Sequence, residues 1–199
     1  MSGMFVIFDL ELTAWPGSAA RGWTGPGAYP EIIQIGAVRL DADLRETGTL
    51  DLAVKPRRNP TLSDFIVGLT GITQERVDRE GVDIAEALAR LAGFAAGARV
   101  LLCNGSDDAW LRQNARLAGT ADPLAAAVFG SLSPHFRRAA ARERHVVSSD
   151  LPSVFGFVSA GRAHDGLGDA RAIAEALRRT LPQTGIEAVI RSAVNEKTI

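Results

Sequence analysis

The stretch Met4-Phe5-Val6-Ile7-Phe8-Asp9-Leu10-Glu11 constrains this chain more than any other. An unbroken apolar run rich in β-branched and aromatic residues reads as a buried central strand. Alternate side chains of a strand point to opposite faces, so Asp9 and Glu11 fall side by side on one of them. Two neighbouring carboxylates at the end of a buried strand repel each other and resist desolvation unless a cation lies between them. The alternative is a strand whose last residues emerge into solvent, where two acids cost little. The rest of the chain bears on that choice.

A length of 199 residues is that of one domain with modest extensions, able to bury a sizeable core. Apolar residues make up 46% and charged residues 23%, as in ordinary globular proteins. The net charge of −1 supplies no global basic field for gripping long duplexes, so any nucleic acid would be held locally, at a strand end. Lysine occurs only at Lys55 and Lys197, and arginine carries the remaining positive charge. Arginine suits bidentate phosphate contacts, although an Arg- and Ala-favouring genome accounts for most of the bias. The lone Cys103 lies in an apolar run, which excludes an internal disulfide framework and reads as a core position. No basic region precedes the first strand and no apolar run approaches a membrane span, so a cytoplasmic, non-membrane protein is expected.

After the first strand, Gly and Pro through residues 13–27 mark a loop, and Trp15 and Trp23 are expected to be covered by that loop rather than to stack on bases. Residues 31–40 read as a second strand and 50–54 as a third, joined too tightly for a crossover helix and therefore antiparallel. Short helices are expected near 63–67 and before Gly81, then an amphipathic helix from Asp83, whose side chain with Glu86 forms a capping box, to Gly97. Residues 100–103 read as a strand parallel to the first, because a helix precedes it. A helix from about 107 to 117 follows, then a short fifth strand near 126–129. Helices are expected at 134–143, 151–158, from Asp169 to 181, and at 184–193. The architecture is α/β, a mixed five-stranded sheet with flanking helices, in one domain spanning 1–199, with a core of about 4–181 and a C-terminal helix over 183–195.

Three acidic blocks line up on this frame. Asp9 and Glu11 end the first strand, Asp108 lies just past strand 100–103, and His164 to Asp169 leads into a helix. Residues beyond the carboxyl ends of neighbouring parallel strands share one crevice, a condition that Asp9, Glu11 and Asp108 meet; Asp169 joins if its helix crosses the first strand. Four carboxylates without nearby lysines are balanced best by Mg²⁺ or Mn²⁺, and two such ions about 3.5–4 Å apart stabilise both oxygens of a phosphoryl displacement.

With those residues in place the chain resembles the DEDDh 3′–5′ exonucleases of the ribonuclease H-like superfamily. The resemblance rests on Phe8-Asp9-Leu10-Glu11-Leu12-Thr13, on Asn104-Gly105-Ser106-Asp107-Asp108 and on His164 through Asp169, with Glu31-Ile32-Ile33-Gln34-Ile35-Gly36 and Leu69-Thr70-Gly71-Ile72 as further likenesses. The Trp and Pro soon after the first block look most like the Eri-type RNA-trimming branch. The resemblance implies a ribonuclease H-like fold, Asp9, Glu11, Asp108 and Asp169 holding two Mg²⁺ or Mn²⁺ ions, and His164 as general base. It also implies Leu12 wedging the terminal base and the Thr13 backbone holding the terminal sugar or phosphate. The implied partner is the 3′ end of single-stranded RNA or DNA, releasing 5′-mononucleotides. Asp107 stands where the family usually places an aromatic or apolar residue. Spacing from Asn104 favours Asp108, and the choice between the two stays open.

Other candidates read more plainly. His135 and His145 lack metal-ligand spacing and are expected at the surface or in the core. Asp165 reads as a turn residue. Arg137, Arg138, Arg142 and Arg144 read as a solvated face, with substrate phosphate contact as the alternative. Two rival functions are a catalytically idle binding module, which a broken acidic set would mark, and an endonuclease or small-molecule phosphodiesterase on the same scaffold.

Overall fold

A computed structural model describes residues 3–18, 20–23, 29–159, 161–181 and 185–195. Its sheet has the order β3-β2-β1-β4-β5, with β1 at Phe5–Leu12, β2 at Ile32–Leu40, β3 at Glu46–Ala53, β4 at Val100–Cys103 and β5 at Phe129–Ser131. β1 pairs antiparallel with β2 and parallel with β4, so the first strand lies at the centre with both edges bonded. The antiparallel β1-β2-β3 meander and the parallel β4 are as the sequence predicts.

The apolar run of β1 is buried on both faces because helices cover both. Phe5 and Ile7 pack on one side against α7 (Gly166–Thr180), with Ala170, Ile173, Ala174 and Leu177, and α8 (Ile186–Asn195) joins that layer. Val6, Phe8 and Leu10 face the other side, towards Leu88 and Leu91 of α3 (Ile84–Phe94) and Leu111 of α4 (Asp107–Ala118). A smaller cluster of Ile66, Ile72 and Val77 ties α1 (Asp64–Thr70) and α2 (Gln74–Glu80) to Ile33. The two remaining α-helices, α5 (Ser133–Ala139) and α6 (Leu151–Phe155), pack against α7, adding Phe136 and Leu151 to that layer. By the two-residue alternation, Asp9 and Glu11 lie on the Phe5/Ile7 face, which is the α7 face.

Several boundaries depart from the sequence reading. β5 begins at Phe129 rather than 126, because Asp122 Oδ1 accepts from Leu124 N at 2.9 Å and winds residues 122–127 into turns. β3 starts at Glu46 rather than 50: as the edge strand it pairs its backbone with β2 while leaving polar side chains in solvent. α7 begins at Gly166, three residues before Asp169, because Asp165 is its N-cap, its carboxylate accepting from Gly168 N at 3.0 Å. α3 stops at Phe94 and α6 at Phe155, short of the expected 97 and 158. α5 ends at Ala139 rather than 143. The start of the C-terminal helix at 182–184 and loop residues 19 and 24–28 lie outside the described residues. Cys103 is buried, as expected. Among the described residues no helix is long and apolar enough to cross a membrane.

Candidate active site

The carboxyl ends of β1, β4 and β5 open into one cavity of about 940 Å³. Asp9 and Glu11 reach it from β1, Asp107 and Asp108 from the first turn of α4, and His164 and Asp169 from the loop and first turn of α7. Glu11, His164 and Asp169 each offer a ligand atom within 4.8 Å of the others. Asp169 thus lies across β1 from its neighbours because α7 packs over the centre of the sheet. That approach requires Gly36 on β2: a Cβ there would come within 1.9 Å of the Gly166 carbonyl carbon.

His164 has φ near +59°, a strained left-handed conformation for a non-glycine residue, and its backbone N–H donates to Asp169 Oδ2 at 3.1 Å. The loop is fixed from below by Gln34, wholly buried on β2. Its Nε2 donates to Asp165 Oδ1 at 2.8 Å and to Asp51 Oδ1 at 2.9 Å, and its Oε1 accepts from Gly166 N at 2.8 Å. On the other flank Ser148 Oγ donates to Asp9 Oδ1 at 3.0 Å. Asn104 Nδ2 donates to Val146 O at 2.8 Å, which orients the amide and leaves its buried Oδ1 without a hydrogen-bond partner.

Burial raises the pKa of Asp9 well above the usual carboxylate range, and the charges of Asp107, Asp169 and Glu11 add to this while Ser148 opposes it. Burial pushes Glu11 up to about 8, with Asp169, Asp165 and Asp107 contributing. Asp169 rises to about 7, again mainly by burial, moderated by the His164 N–H. Among the described residues no arginine offsets the charge of these three acids. Buried oxygen donors, mutually repelling and without a balancing side chain, fit hard divalent cations.

The two acids of α4 differ. Asp108 is buried and its Oδ2 accepts from Arg112 Nη1 at 3.1 Å, one helical turn on. Asp107 is half-buried and is the one whose charge acts on Asp9 and Glu11. Leu12 and Thr13 do not line the cavity; Leu12 packs against the α3/α4 core, and the Thr13 N–H already donates to Glu31 O at 2.8 Å. Leu10, Trp23 and Trp110 line it instead, Trp23 meeting Trp110 edge-on at 6.2 Å rather than folding onto Trp15's loop alone. Ser148, Ser133, Arg137 and His145 also line it. Sequence reasoning missed Ser148, whose position in the chain carries no pattern, and it set His145 aside for lack of spacing.

The sequence profile of the RNase_T family, an exonuclease family, matches residues 6–177, and the chain belongs to that family. The rat protein "3'-5' exoribonuclease 1" is 39% identical over 74 residues, which are 37% of this chain and 20% of that protein. The match thus spans about a fifth of that curated relative's length. Among solved structures, the nuclease domain of 3'hExo, a DEDDh family member bound to rAMP, has a TM-score of 0.72 at 26% identity, covering 88% of this chain and 90% of that one. A 3'-exonuclease from a study of 3'-end-specific recognition of histone mRNA stem-loop has a TM-score of 0.74 at 26% identity, covering 88% of this chain and 62% of that one. The mixed five-stranded sheet with flanking helices is therefore the ribonuclease H-like exonuclease architecture.

Proposed function

We propose that this chain is one exonuclease domain that removes 5′-mononucleotides from the 3′ end of single-stranded RNA or DNA with the help of two Mg²⁺ or Mn²⁺ ions. The observation that carries the reading is the convergence of Glu11, His164 and Asp169 within 4.8 Å, beside Asp9, from two stretches of chain more than 150 residues apart. Asp9, Glu11, Asp169 and an acid of the Asp107–Asp108 pair would hold the metals. When bound, such ions stabilise the negative charge that builds on the oxygens around phosphorus.

The chain's own groups do the rest. His164 accepts the proton of the attacking water as its oxygen bonds to the terminal phosphorus and the bond from phosphorus to the 3′ oxygen breaks. Asp169 holds the His164 backbone, and Gln34 with Asp165 holds the loop that presents it. Ser148 orients Asp9 by its hydrogen bond. Leu12 and Thr13, at the bulged end of β1, remain proposed contacts to the terminal nucleotide; with the Thr13 N–H engaged, that contact falls to other atoms of the pair. The exoribonuclease relatives make RNA the first substrate to test.

The test is a 5′-labelled single-stranded oligomer, as matched RNA and DNA, incubated with Mg²⁺ or Mn²⁺. Stepwise shortening from the 3′ end supports the reading. Internal cuts would mean an endonuclease, and binding without cutting an idle module; either result overturns it.

A further inference from the structure

The wall facing the acids carries a feature that metal-assisted hydrolysis does not need. Ser133 Oγ and His145 Nδ1 lie 2.7 Å apart, and Arg137, close enough for its charge to act on His145, lines the same cavity. Several arginines of the molecule are matched to carboxylates, among them Arg76 to Asp51, Arg99 to Glu187, Arg112 to Asp108 and Arg171 to Glu46. Arg137 has no carboxylate partner among the described residues, and its Nη1 donates to the Glu143 carbonyl at 3.2 Å. The basic run also divides. Arg138 turns away to Ser192 Oγ at 3.0 Å, and Arg142 and Arg144 are exposed outside the cavity lining, so Arg137 is the member of the run that lines the cavity.

We propose that Arg137, Ser133 and His145 form a second phosphate subsite, which grips a backbone phosphate of the strand upstream of the bond being cut. A guanidinium offers paired donors to phosphate oxygens, and the His145 ring can add a third. With Ser133 Oγ donating to Nδ1, a neutral His145 carries its proton on Nε2 and can donate as well. Burial and the Arg137 charge both lower the His145 pKa, which favours that neutral ring. A cavity of about 940 Å³ lies at the upper end of the usual 300–1,000 Å³ for ligand sites, leaving room beyond a terminal nucleotide. The subsite thus gives a chain of net charge −1 a local electrostatic grip on a polyanion. It rests on the exonuclease reading for the identity of its ligand.

The experiment is equilibrium binding of a fluorescein-labelled, twelve-nucleotide single-stranded RNA by anisotropy, with Ca²⁺ replacing Mg²⁺, across a salt series. Arg137→Ala is expected to raise Kd about tenfold, the weight of a hydrogen bond to a charged group. The slope of log Kd against log salt should fall by about 0.7, the share of one phosphate on a single strand. Arg137→Lys should restore the slope and part of the affinity. Arg144→Ala, exposed and outside the cavity lining, is the control for net charge. An unchanged slope in Arg137→Ala, or an equal loss in Arg144→Ala, overturns the subsite. Because the readout is binding, the two readings fail separately. A parent that binds with the expected slope change but never cuts retains the subsite and loses the exonuclease; a parent that cuts while Arg137→Ala binds normally does the reverse. A parent that does not bind overturns both.

Discussion

The side-chain amide of Gln34 donates to the carboxylate of Asp165 at 2.8 Å, across 131 residues of sequence, and so ties the second strand to the loop that presents His164. The same amide accepts from Gly166 N, so one buried group fixes both the N-cap residue of α7 and the first N–H of that helix. Gln34→Leu keeps much of the bulk but strands these partners. Each buried partner left unpaired costs about 1–3 kcal/mol. The variant is expected to melt earlier and to lose kcat more than it loses affinity for the oligomer, because the displaced group is the base. Gln34→Glu would set a carboxylate against Asp51 and Asp165 and should destabilise most at neutral pH. Thermal melts and steady-state kinetics check both, and a Gln34→Leu protein with parental Tm and kcat would refute the tie.

Much of this frame is legible in the sequence. Residues 4–11 are apolar enough to be central and alternate in a way that puts Asp9 and Glu11 together, and both properties are local. The start of α7 is less legible, since Gly166 and Gly168 are poor helix formers, and the cap lies at Asp165 rather than at the metal-facing Asp169. Parts of the cavity wall carry no sequence signal. Ser148 meets Asp9 across 139 residues, and His145 meets Ser133 from an irregular stretch between two helices, so no periodicity marks them. Contacts of that kind follow from packing of the whole chain.

The buried acids predict how stability changes with pH. In the folded protein Glu11 titrates near 8 and Asp169 near 7, against ordinary values of 4.5 and 3.8. Between the ordinary and raised values the unfolded chain binds fewer protons than the folded one, so folding stability falls as pH rises. The contribution is fully present below about pH 4 and is lost by about pH 8. Metal should reverse the trend, because Mg²⁺ or Mn²⁺ binds the deprotonated carboxylates of the folded state alone. Melts in EDTA should therefore show Tm falling from pH 5 to pH 8, and Mn²⁺ should raise Tm most at pH 8. A metal-independent Tm at pH 8 would count against the carboxylates as a metal site.

His164→Ala should lower kcat by about 10²–10⁴, the usual worth of a positioned general base. Asp9→Ala should cost more, since it removes a carboxylate from between Glu11, Asp169 and Asp107 in the proposed metal site. Relief of the strained left-handed backbone at position 164 is not expected from alanine, so Tm should change little. His164→Ala activity within a factor of two of the parent would reject the base, and an Asp9→Ala protein that still shortens RNA in Mg²⁺ would reject the metal pair.

Asp107 and Asp108 can be separated by the same measurements. Spacing from Asn104 favours Asp108, whereas the electrostatic field favours Asp107, whose charge reaches Asp9 and Glu11 while Asp108 is ion-paired with Arg112. The field is the stronger guide, because Asp107 already acts on Asp9 and Glu11, whereas Asp108 would have to give up its Arg112 contact to take a metal. Asp107→Asn is expected to lower kcat at least tenfold more than Asp108→Asn and to shrink the Tm gain from Mn²⁺. Asp108→Asn should act chiefly on stability, by leaving Arg112 and its contact with the Phe129 ring without the carboxylate that positions them. The opposite ranking, with Asp108→Asn losing both rate and metal response, would return the role to Asp108 and make Arg112 a group that must swing away when metal binds.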